Sequence, residues 1–494
     1  MVFASGIVVG WSVAQFLGAT DPIGAVGSRV IDHVPAAVKD WAIRTFGTSD
    51  KVALEVGIVV LLLLVSFGVG VAARRRPPVA QGIVVAMGVV GMLSAKGTDG
   101  IGAYVPALVG TVVSLLALWF VTTPPVTRGR RSAPDLVPGL QRRDFMIRAS
   151  AVGAATATVG AIGYGVRSGR VTQLNEAAAK ISLPTPQSAA PVVGADAAIG
   201  HGVEPFITPN DSFYRIDTAL SVPRIDLADW RLRIDGMVDH PLTLTFDQLL
   251  DLGVVERIIT MCCVSNEVGG KLIGNARWLG VPLTKVLEKV GVQRGATQVA
   301  SESDDGWTCG FPTSVALDGR DALIAVGMNG EPLPPEHGFP VRLVVPGLYG
   351  YVSSTKWLTR INLTTMEDFE GYWIPRGWSQ LGPVKTQSRI DVPRTGTSVS
   401  AGRQVIAGVA WAQHRGISKV EARVDDGDWM EATLSTDVTD DAWRQWVVEW
   451  DAVPGDHKIY VRATDSTGVT QPSEISAPDP DGATGWHSIR VSVS

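Results

Sequence analysis

Two adjacent cysteines, Cys262 and Cys263, are the residues whose type and spacing are best suited to chemistry in this chain. Their Cα atoms lie about 3.8 Å apart across a trans peptide, less than the roughly 4.4–6.8 Å of an unstrained disulfide. In an extended strand neighbouring side chains point to opposite faces. We therefore expect one thiol to enter a pocket and the other to join the core.

Three interpretations of this cysteine pair compete: a buried structural cysteine, a zinc site, and a single thiolate on a metal whose other ligands belong to an organic cofactor. A zinc site needs more ligands at Cys-x-x-Cys or His-x-x-x-His spacing, and the sequence has none. No Cys-x-x-Cys-His haem attachment motif is present, and no histidine falls in a long apolar segment. The sequence therefore predicts no haem in this chain.

The composition divides the chain into a membrane part and a globular part. Hydrophobic residues make up 46% of the 494 residues and charged residues only 18%, and the apolar excess lies in residues 1–166. The net charge of −5 offers no basic stripe, which excludes nucleic-acid binding. Residues 1–166 are predicted to be a transmembrane region of four to five helices, which makes this a multi-pass protein of the cell membrane.

Four segments have about the length and the polarity needed to cross a bilayer. They are residues 2–19, 54–73, 79–95 and 101–121. Arginines flank the second segment and crowd the stretch after the fourth. Because Lys and Arg favour the cytoplasmic side, this pattern places the N-terminus inside and the residues after 166 outside the cytoplasm. The simplest role for these helices is anchoring.

A weaker apolar stretch, residues 149–166, follows the segment Gln141-Arg142-Arg143-Asp144-Phe145-Met146. Paired arginines before a mildly hydrophobic region resemble a twin-arginine export signal. The alternative is an ordinary helix anchored by positive residues on the inner side. Both interpretations of residues 141–166 place the following domain outside the cytoplasm, and the choice between them stays open.

The globular part is predicted to contain a linker and two domains. Residues 167–200 are small, proline-containing and aperiodic, as in a linker. Residues 201–380 mix short strand-like and helical runs without regular alternation, which predicts an α+β domain. Residues 384–494 contain short strands between dense turns, which predicts an immunoglobulin-like β-sandwich.

Several motifs in residues 200–494 resemble sulfite-oxidase-type molybdenum enzymes. Thr260-x-x-Cys263-x-x-Asn266 is similar to the region of that family that binds molybdenum. Residues 328–342 (MNGEPLPPEHGFPVR) are similar to its Met-Asn-Gly-x-Pro-Leu…His-Gly-x-Pro-x-Arg signature. Residues 208–214 and 230–236 fit the opening of the family domain, and 356–358 continue the signature. The motifs occur in the family's order.

The resemblance implies a site for one molybdopterin carrying molybdenum. Cys263 would ligate the metal, since soft thiolates suit it, and Arg342 and Lys356 would hold the cofactor's phosphate. Arg277 would border the substrate pocket. Other implied cofactor contacts are Asn210, Tyr214, Ser303, His337, Ser354 and Thr355. The sandwich would be of the type through which these enzymes form homodimers.

The implied function is that of an extracytoplasmic oxotransferase, sulfite oxidase-like or S-oxide reductase-like, which exchanges electrons with a cytochrome or a quinone-linked membrane protein. Two departures weaken sulfite binding: Val326 stands where the family has Tyr, and Glu267 where it has Arg. The substrate is therefore left as a small oxyanion or an S-oxide. The alternative is a cofactor-free membrane receptor or scaffold that binds a partner through the sandwich.

Overall fold

The computed structural model describes residues 2–19, 21–34, 38, 50–95, 100–123, 142–219, 222–223 and 225–494. These residues form two compact units. The helical unit comprises Met1–Glu176 with Thr218–Arg224, and the β-rich unit comprises Ala177–Asp217 with Ile225–Ser494.

Helices dominate the N-terminal region. They are α1 (Val2–Leu17), α2 (Pro22–His33), α3 (Asp50–Arg75), α4 (Pro77–Ser94), α5 (Val105–Thr122) and α6 (Arg142–Ala179). Within the part of the chain that the structure describes, four stretches are long and apolar enough to cross a membrane: Val56–Ala73, Pro77–Ser94, Gly102–Thr122 and Phe145–Gln173. Helix α1 is apolar but shorter, so the predicted first span is the least complete. The weak stretch 149–166 lies inside α6, whereas Gln141 lies outside the described residues.

Small residues bring α1 and α5 into close contact. A Cβ atom on Gly6 would overlap Ser114 and the carbonyl of Gly110, and one on Gly110 would lie 2.6 Å from the carbonyl oxygen of Gly6. The Ser12 hydroxyl donates to the Val159 carbonyl of α6 at 3.1 Å. Small residues are typical where membrane helices approach closely.

Two arginines of α6 cap other helices of the same unit. Arg148 donates to the Phe120 carbonyl at the end of α5 (2.7 Å), and Arg170 donates to the Phe16 carbonyl at the end of α1 (2.7 Å). The 22 residue steps from Arg148 to Arg170 rise about 33 Å at 1.5 Å each, close to the roughly 30 Å hydrocarbon core of a bilayer. The two caps thus mark opposite ends of the bundle at a membrane-like spacing.

The predicted linker, residues 167–200, differs from the structure. Its first part continues α6 to Ala179, because 172–179 are mostly good helix formers and contain neither Gly nor Pro. Its second part runs along the β-rich unit: the Gln187 amide donates to the Val254 carbonyl (2.8 Å), and the Glu256 amide donates to Ser188 (2.9 Å). These backbone bonds fix a segment whose sequence has no strand periodicity.

The α+β part of the β-rich unit contains two sheets. Its strands are β1 (Leu232–Gly236), β2 (Leu242–Leu244), β3 (Val255–Cys262), β4 (Ile273–Pro282), β5 (Gln298–Ser303), β6 (Thr308–Pro312), β7 (Leu323–Met328), β8 (Glu331–Pro332), β9 (Arg342–Val344) and β10 (Leu358–Thr364). One sheet has the order β2-β1-β10-β5-β6, and the other β3-β4-β7-β8 with β9 on β7. Short helices connect them: α7 (Phe246–Leu250), α8 (Leu283–Val290), α9 (Thr313–Ala316) and α10 (Gly350–Ser353).

The C-terminal part is a sandwich of two further sheets. Its strands are β11 (Gln387–Val392), β12 (Ser398–Val399), β13 (Gly402–Trp411), β14 (Ile417–Val424), β15 (Met430–Glu431), β16 (Thr433–Leu434), β17 (Arg444–Ala452), β18 (Gly455–Asp465) and β19 (His487–Val493). The sheets have the orders β11-β13-β17-β16 and β12-β19-β18-β14-β15. Ile406, Trp446, Ile459 and Ile489 belong to the apolar core that both sheets share.

Strand β3 joins the two parts of the β-rich unit. The Thr260 amide donates to the Asp441 carbonyl (2.9 Å), and the Trp443 amide donates to the Thr260 hydroxyl (2.7 Å). Gln413 donates to the Thr260 carbonyl (3.0 Å). Thr260 lies three residues before Cys263, so the sandwich contacts β3 close to the candidate site.

Candidate functional site

The cysteine pair lies where β3 ends. Cys262 is the last residue of the strand and packs in a buried apolar cluster with Ile258 and Tyr349. The Cys263 amide donates to the Leu272 carbonyl (2.9 Å), and the Cys263 carbonyl accepts from Asn266 (3.1 Å). Both cysteines, like Cys309, are free thiols.

Burial raises the pKa of the Cys263 thiol, and the amide and hydroxyl of Ser265 lower it only in part. Cys263 is therefore protonated at neutral pH in the protein alone. A metal ion would displace that proton, because the thiolate is the form that binds metals. Among the described residues no group of three or more His, Cys, Asp or Glu could hold a metal, so a metal there depends on ligands from elsewhere.

Arg342, the first residue of β9, is a buried cation. Its Nη1 donates to the His337 carbonyl (3.0 Å), and its guanidinium lies 5.1 Å from the Trp278 ring centroid. Burial lowers its pKa to about 10, so it stays charged at neutral pH. It pairs with no carboxylate of the described residues. Removing a charge from water costs several kcal/mol unless it is compensated, so this site is suited to an anion.

Lys356 lies close to Arg342 but has its own counterion. Its Nζ contacts the Asp217 carboxylate at 2.7 Å and donates to the Glu336 carbonyl at 3.3 Å. Burial lowers its pKa to about 8. Gly338 allows this close packing: its φ is +112°, and a Cβ atom would lie 3.1 Å from Lys356 Cα.

His337 has already used its donor in this structure. Its Nε2 donates to the Asn210 carbonyl (2.8 Å), and burial lowers its pKa to about 4. The ring is neutral at pH 7, and its Nδ1 is then an acceptor. His337, which the family resemblance implies as a cofactor contact, is therefore neutral, and its one N–H is already engaged by Asn210.

The hydroxyl-bearing residues fall into two groups. Ser303 Oγ is buried without a hydrogen-bond partner among the described residues, and the Tyr214 ring stacks on Phe213 beside a buried apolar cluster. Burial is the main reason that the pKa of Tyr214 lies well above its usual value. Thr355 instead bonds Ser301 (2.6 Å), and Ser354 faces Ser353 (3.4 Å).

Arg277 is not brought to Cys263. On β4 it pairs in register with Ile258, five residues before Cys263, which corresponds to about 16 Å along a strand. Its guanidinium contacts the Glu256 carboxylate at 3.0 Å. The motif spacing could not show this separation, because residue order does not reveal which part of a strand faces the site.

Asn329 organises the loops here and had no predicted role. Its φ is +54°. Its Oδ1 accepts from the Arg277 amide (2.9 Å), and its Nδ2 donates to the Thr208 carbonyl (2.9 Å) and to Asn210 Oδ1 (2.8 Å). Asn210 is thereby engaged with protein groups. The Asn-Gly pair in the sequence could have predicted a turn at this position, since Asn tolerates left-handed backbone.

These donors fit a molybdopterin. A soft thiol follows one strand, and a buried guanidinium without a carboxylate partner begins another. A buried hydroxyl lacks a hydrogen-bond partner among the residues that the structure describes. Thiolate ligation and phosphate recognition need those groups. Asn266 Nδ2 is a further buried atom without a hydrogen-bond partner among the described residues.

Comparison with known proteins agrees with this donor set. Residues 219–373 match the family model for the oxidoreductase molybdopterin binding domain. The chain is 31% identical to mitochondrial sulfite oxidase of Rattus norvegicus over 59% of this chain and 62% of that protein. It is 37% identical to an uncharacterized oxidoreductase, YuiH, of Bacillus subtilis over 32% of this chain and 76% of the relative.

The chain also resembles the solved structure of the sulfane dehydrogenase SoxCD from Paracoccus pantotrophus. The TM-score is 0.51 with 25% identity, over 58% of this chain and 82% of that one. The chain spans only 62% of the length of the rat sulfite oxidase. The motifs, the fold and these matches together place the chain in the sulfite-oxidase-type family of molybdopterin-binding oxidoreductases.

Proposed function

We propose that this protein is a membrane-anchored, extracytoplasmic molybdenum-cofactor enzyme that transfers an oxygen atom to or from sulfur. The observation that carries the proposal is the buried, unpaired guanidinium of Arg342 in a domain that also buries the free thiol of Cys263. When bound, the cofactor supplies two-electron oxygen-atom transfer. The protein supplies the ligand, the counter-charge and the shape of the pocket.

Each site residue has a distinct role in this proposal. Cys263 ligates the metal, and Arg342 binds the phosphate of the cofactor. Lys356 binds the same phosphate once its ammonium group is shared between Asp217 and the phosphate, or has left Asp217 for the phosphate. The hydroxyls of Ser303 and Tyr214 donate to the cofactor. His337 holds Asn210 by its hydrogen bond to the Asn210 carbonyl, and Thr355 and Ser354 shape the segment that leads to Lys356. Arg277, paired with Glu256, sets the local charge rather than touching the metal.

The substrate is proposed to be a neutral S-oxide, reduced with two protons and two electrons to a sulfide and water. Arg277 of β4 and Arg389 of β11 are already neutralised, by Glu256 and by Asp391. Val326 is buried in β7 and offers no hydroxyl. Sulfite carries nearly two negative charges, and each missing charge-assisted contact costs about 1.5–3 kcal/mol.

The substrate proposal is tested by steady-state assays on the cofactor-loaded protein. Sulfite oxidation should be compared with reduction of methionine sulfoxide and simpler S-oxides, using the same preparation. The expected result is a higher kcat/KM for an S-oxide, because a neutral substrate does not need the missing cations. A higher kcat/KM for sulfite than for every S-oxide tested would overturn the substrate class.

The cofactor proposal is tested by elemental analysis of the purified chain. About one molybdenum per chain is expected, consistent with a single thiolate ligand. A preparation without molybdenum, from cells that make molybdopterin, would favour a receptor or scaffold instead. The Cys263→Ser variant, purified in parallel, controls for adventitious metal.

The proposed location follows from α6. Arg148 lies at its cytoplasmic end and Arg170 at the opposite end, as the arginine bias along the chain favours. Protease added to intact spheroplasts should therefore cut after Arg170. Cleavage only in inverted vesicles would overturn this orientation. Whether residues 141–166 also act as an export signal is tested by replacing both paired arginines with lysine and following export.

The proposed partners are an external cytochrome or quinone-linked protein, which exchanges the electrons, and a second copy of this chain. The sandwich is proposed to be of the immunoglobulin-like dimerisation type. Its outer face presents Arg423 and Arg462 against Trp429, with distances of 4.9 and 4.1 Å to the ring centroid. Sedimentation of the detergent-solubilised protein should show a dimer that Trp429→Ala weakens.

A further inference from the structure

Two residues of the β-sandwich contact the segment that follows Cys263. This segment, residues 264–272, lies between Cys263 and β4 and is called the cysteine loop below. Arg389 of β11 donates from Nη1 to the Gly270 carbonyl at 3.0 Å. The His487 ring, at the start of β19, lies so close to Gly269 that a Cβ atom there would overlap it. The sandwich therefore reaches the cysteine loop at two adjacent residues.

Arg389 is rigidly held. It is only 4% exposed, and it forms a two-point contact with the Asp391 carboxylate: Nε to Oδ1 at 2.6 Å and Nη2 to Oδ2 at 3.3 Å. Such bidentate pairs fix the guanidinium plane. Because Asp391 neutralises the charge, the remaining Nη1 donor serves to hold the Gly270 carbonyl.

His487 is held as firmly from the other side. Its Nδ1 accepts from the Ile390 amide at 2.9 Å, and burial lowers its pKa to about 4, so the ring is neutral at pH 7. Gly269 has φ +75°, which favours glycine. The absence of a side chain there lets the imidazole pack directly on the loop backbone.

The cysteine loop carries the groups that surround the two thiols. Ser265, two residues after Cys263, donates hydrogen bonds from its amide and its hydroxyl to the Cys263 sulfur. Asn266 Oδ1 accepts from the Leu272 amide (2.8 Å), and the Gly270 amide donates to the Glu267 carbonyl (2.8 Å), so the loop is internally braced. A shift at residues 269–270 would therefore move the Ser265 donors. Donors to a ligand sulfur tune the reduction potential of the metal.

We propose that Arg389 and His487 are positioning residues: through them the sandwich fixes the cysteine loop, and so the Ser265 donors around the Cys263 sulfur. The part that concerns the metal rests on the proposed function. The part that concerns the loop does not, because the contacts exist in the protein alone.

The loop contact is tested by amide hydrogen exchange on the full chain in detergent, with and without cofactor. Arg389→Ala should speed exchange of residues 264–272 about ten- to a hundredfold, the equivalent of one lost charge-assisted bond. Arg389→Lys should restore part of the protection. The control is Arg403→Ala, which removes an exposed sandwich arginine paired with Glu449. Equal exchange in Arg389→Ala and Arg403→Ala would overturn the contact.

A glycine pair gives a second test if Arg389→Ala does not fold. Gly269→Ala adds a methyl group that overlaps His487, whereas Gly396→Ala adds one at a similar φ of +77° with no atom within 4 Å. Faster loop exchange is expected only in Gly269→Ala. Adding His487→Ala to Gly269→Ala should relieve the overlap and return part of the protection. Equal effects of the two glycine variants would contradict the role of His487.

The consequence for the metal is read from spectroscopy rather than turnover. Gly269→Ala with unchanged molybdenum content should show an altered or heterogeneous Mo(V) paramagnetic resonance signal and a shifted midpoint potential, with kcat lowered more than KM. A fall in thermal stability alone, with signal and potential unchanged, would leave a merely structural role and overturn the proposal. Wild-type protein without molybdenum would instead defeat the proposed function, while the exchange result still decides the loop contact.

Discussion

At the scale of single residues, the two adjacent cysteines differ in what surrounds their sulfur atoms. Cys262 packs with Ile258 and Tyr349 in an apolar cluster, whereas the donors of Ser265 act on Cys263. Successive residues of an extended chain face opposite sides, so alternation would separate the two side chains. The metal ligand is therefore predicted to be Cys263.

Replacing each cysteine by serine tests this assignment. Cys263→Ser should abolish turnover and disturb the molybdenum spectrum, because the hard hydroxyl is a poor substitute for a thiolate. Cys262→Ser should leave the spectrum nearly intact and cost stability, since it places a hydroxyl in an apolar cluster. Absorption and paramagnetic resonance spectra of both variants measure the difference. The reverse pattern would contradict the assignment of Cys263 as the ligand.

Arg342 is predicted to control cofactor loading more than substrate choice. Arg342→Ala removes the buried, uncompensated charge, and losing a charge-assisted bond to phosphate costs about 1.5–3 kcal/mol, or roughly ten- to a hundredfold in cofactor affinity. Molybdenum and pterin content per chain should fall accordingly. Arg360→Ala is the matched control, because that arginine is partly exposed and paired with Asp235. Full loading of Arg342→Ala would contradict the assignment.

At the scale of elements, two segments each carry one functional group at an end. The β3–β4 hairpin carries a thiol, and the motif segment from Met328 to Arg342 carries a guanidinium. Cys263 follows β3, and Arg342 begins β9, which pairs with β7 in the same sheet as β3. The turn at Gly338 brings Arg342 and Lys356 together. These ends of strands, rather than any helix, position the candidate site.

Helix α1 is predicted to depend on its glycine contact with α5. Gly110→Leu should overpack this contact and destabilise the helical unit by roughly 1–3 kcal/mol, since Gly6 leaves no space there. The measurement is thermal unfolding of the full chain in detergent, followed by a probe on α1. Gly68→Leu on α3 is the control, because no atom lies within 4 Å of its Cβ position. Equal destabilisation by both variants would argue against close helix packing.

At the scale of the whole molecule, stability should depend on two buried histidines. Burial lowers the pKa of His337 and of His487 from 6.5 to about 4. The unfolded chain binds protons first as pH falls, so the stabilisation present above pH 6.5 is lost towards pH 4. At pH 5 each histidine should lower the free energy of unfolding by roughly 2 kcal/mol relative to its value at neutral pH.

Thermal unfolding at pH 7 and pH 5 measures this loss. The paired variant His337→Gln with His487→Asn keeps a donor for Asn210 and an acceptor for Ile390, and it should lose less stability between the two pH values than wild type. Asp441, whose pKa burial raises to about 6, acts in the opposite direction in both proteins and cancels in the comparison. An identical pH dependence of both proteins would contradict the prediction.

The sequence alone determined the family and the kinds of element. Long apolar runs predicted the membrane-length helices, because a bilayer imposes length and polarity on any helix that crosses it. The ordered motifs around Cys263 and Arg342 predicted the molybdopterin donor set, and alternation predicted that the cysteine pair would divide. Turn-rich short strands predicted the sandwich at residues 384–494. These properties depend on residues that are neighbours in the sequence, so the sequence alone is enough to predict them.

Only the tertiary structure decided which groups meet. It paired Lys356 with Asp217 and Arg277 with Glu256, and it engaged the His337 donor. Among the described residues it left Arg342 without a carboxylate partner and Ser303 Oγ without a hydrogen-bond partner. It also brought Arg389 and His487, more than a hundred residues along the chain, onto the loop after Cys263. Charge compensation depends on distances between residues far apart in sequence, and no spacing along the chain fixes those distances.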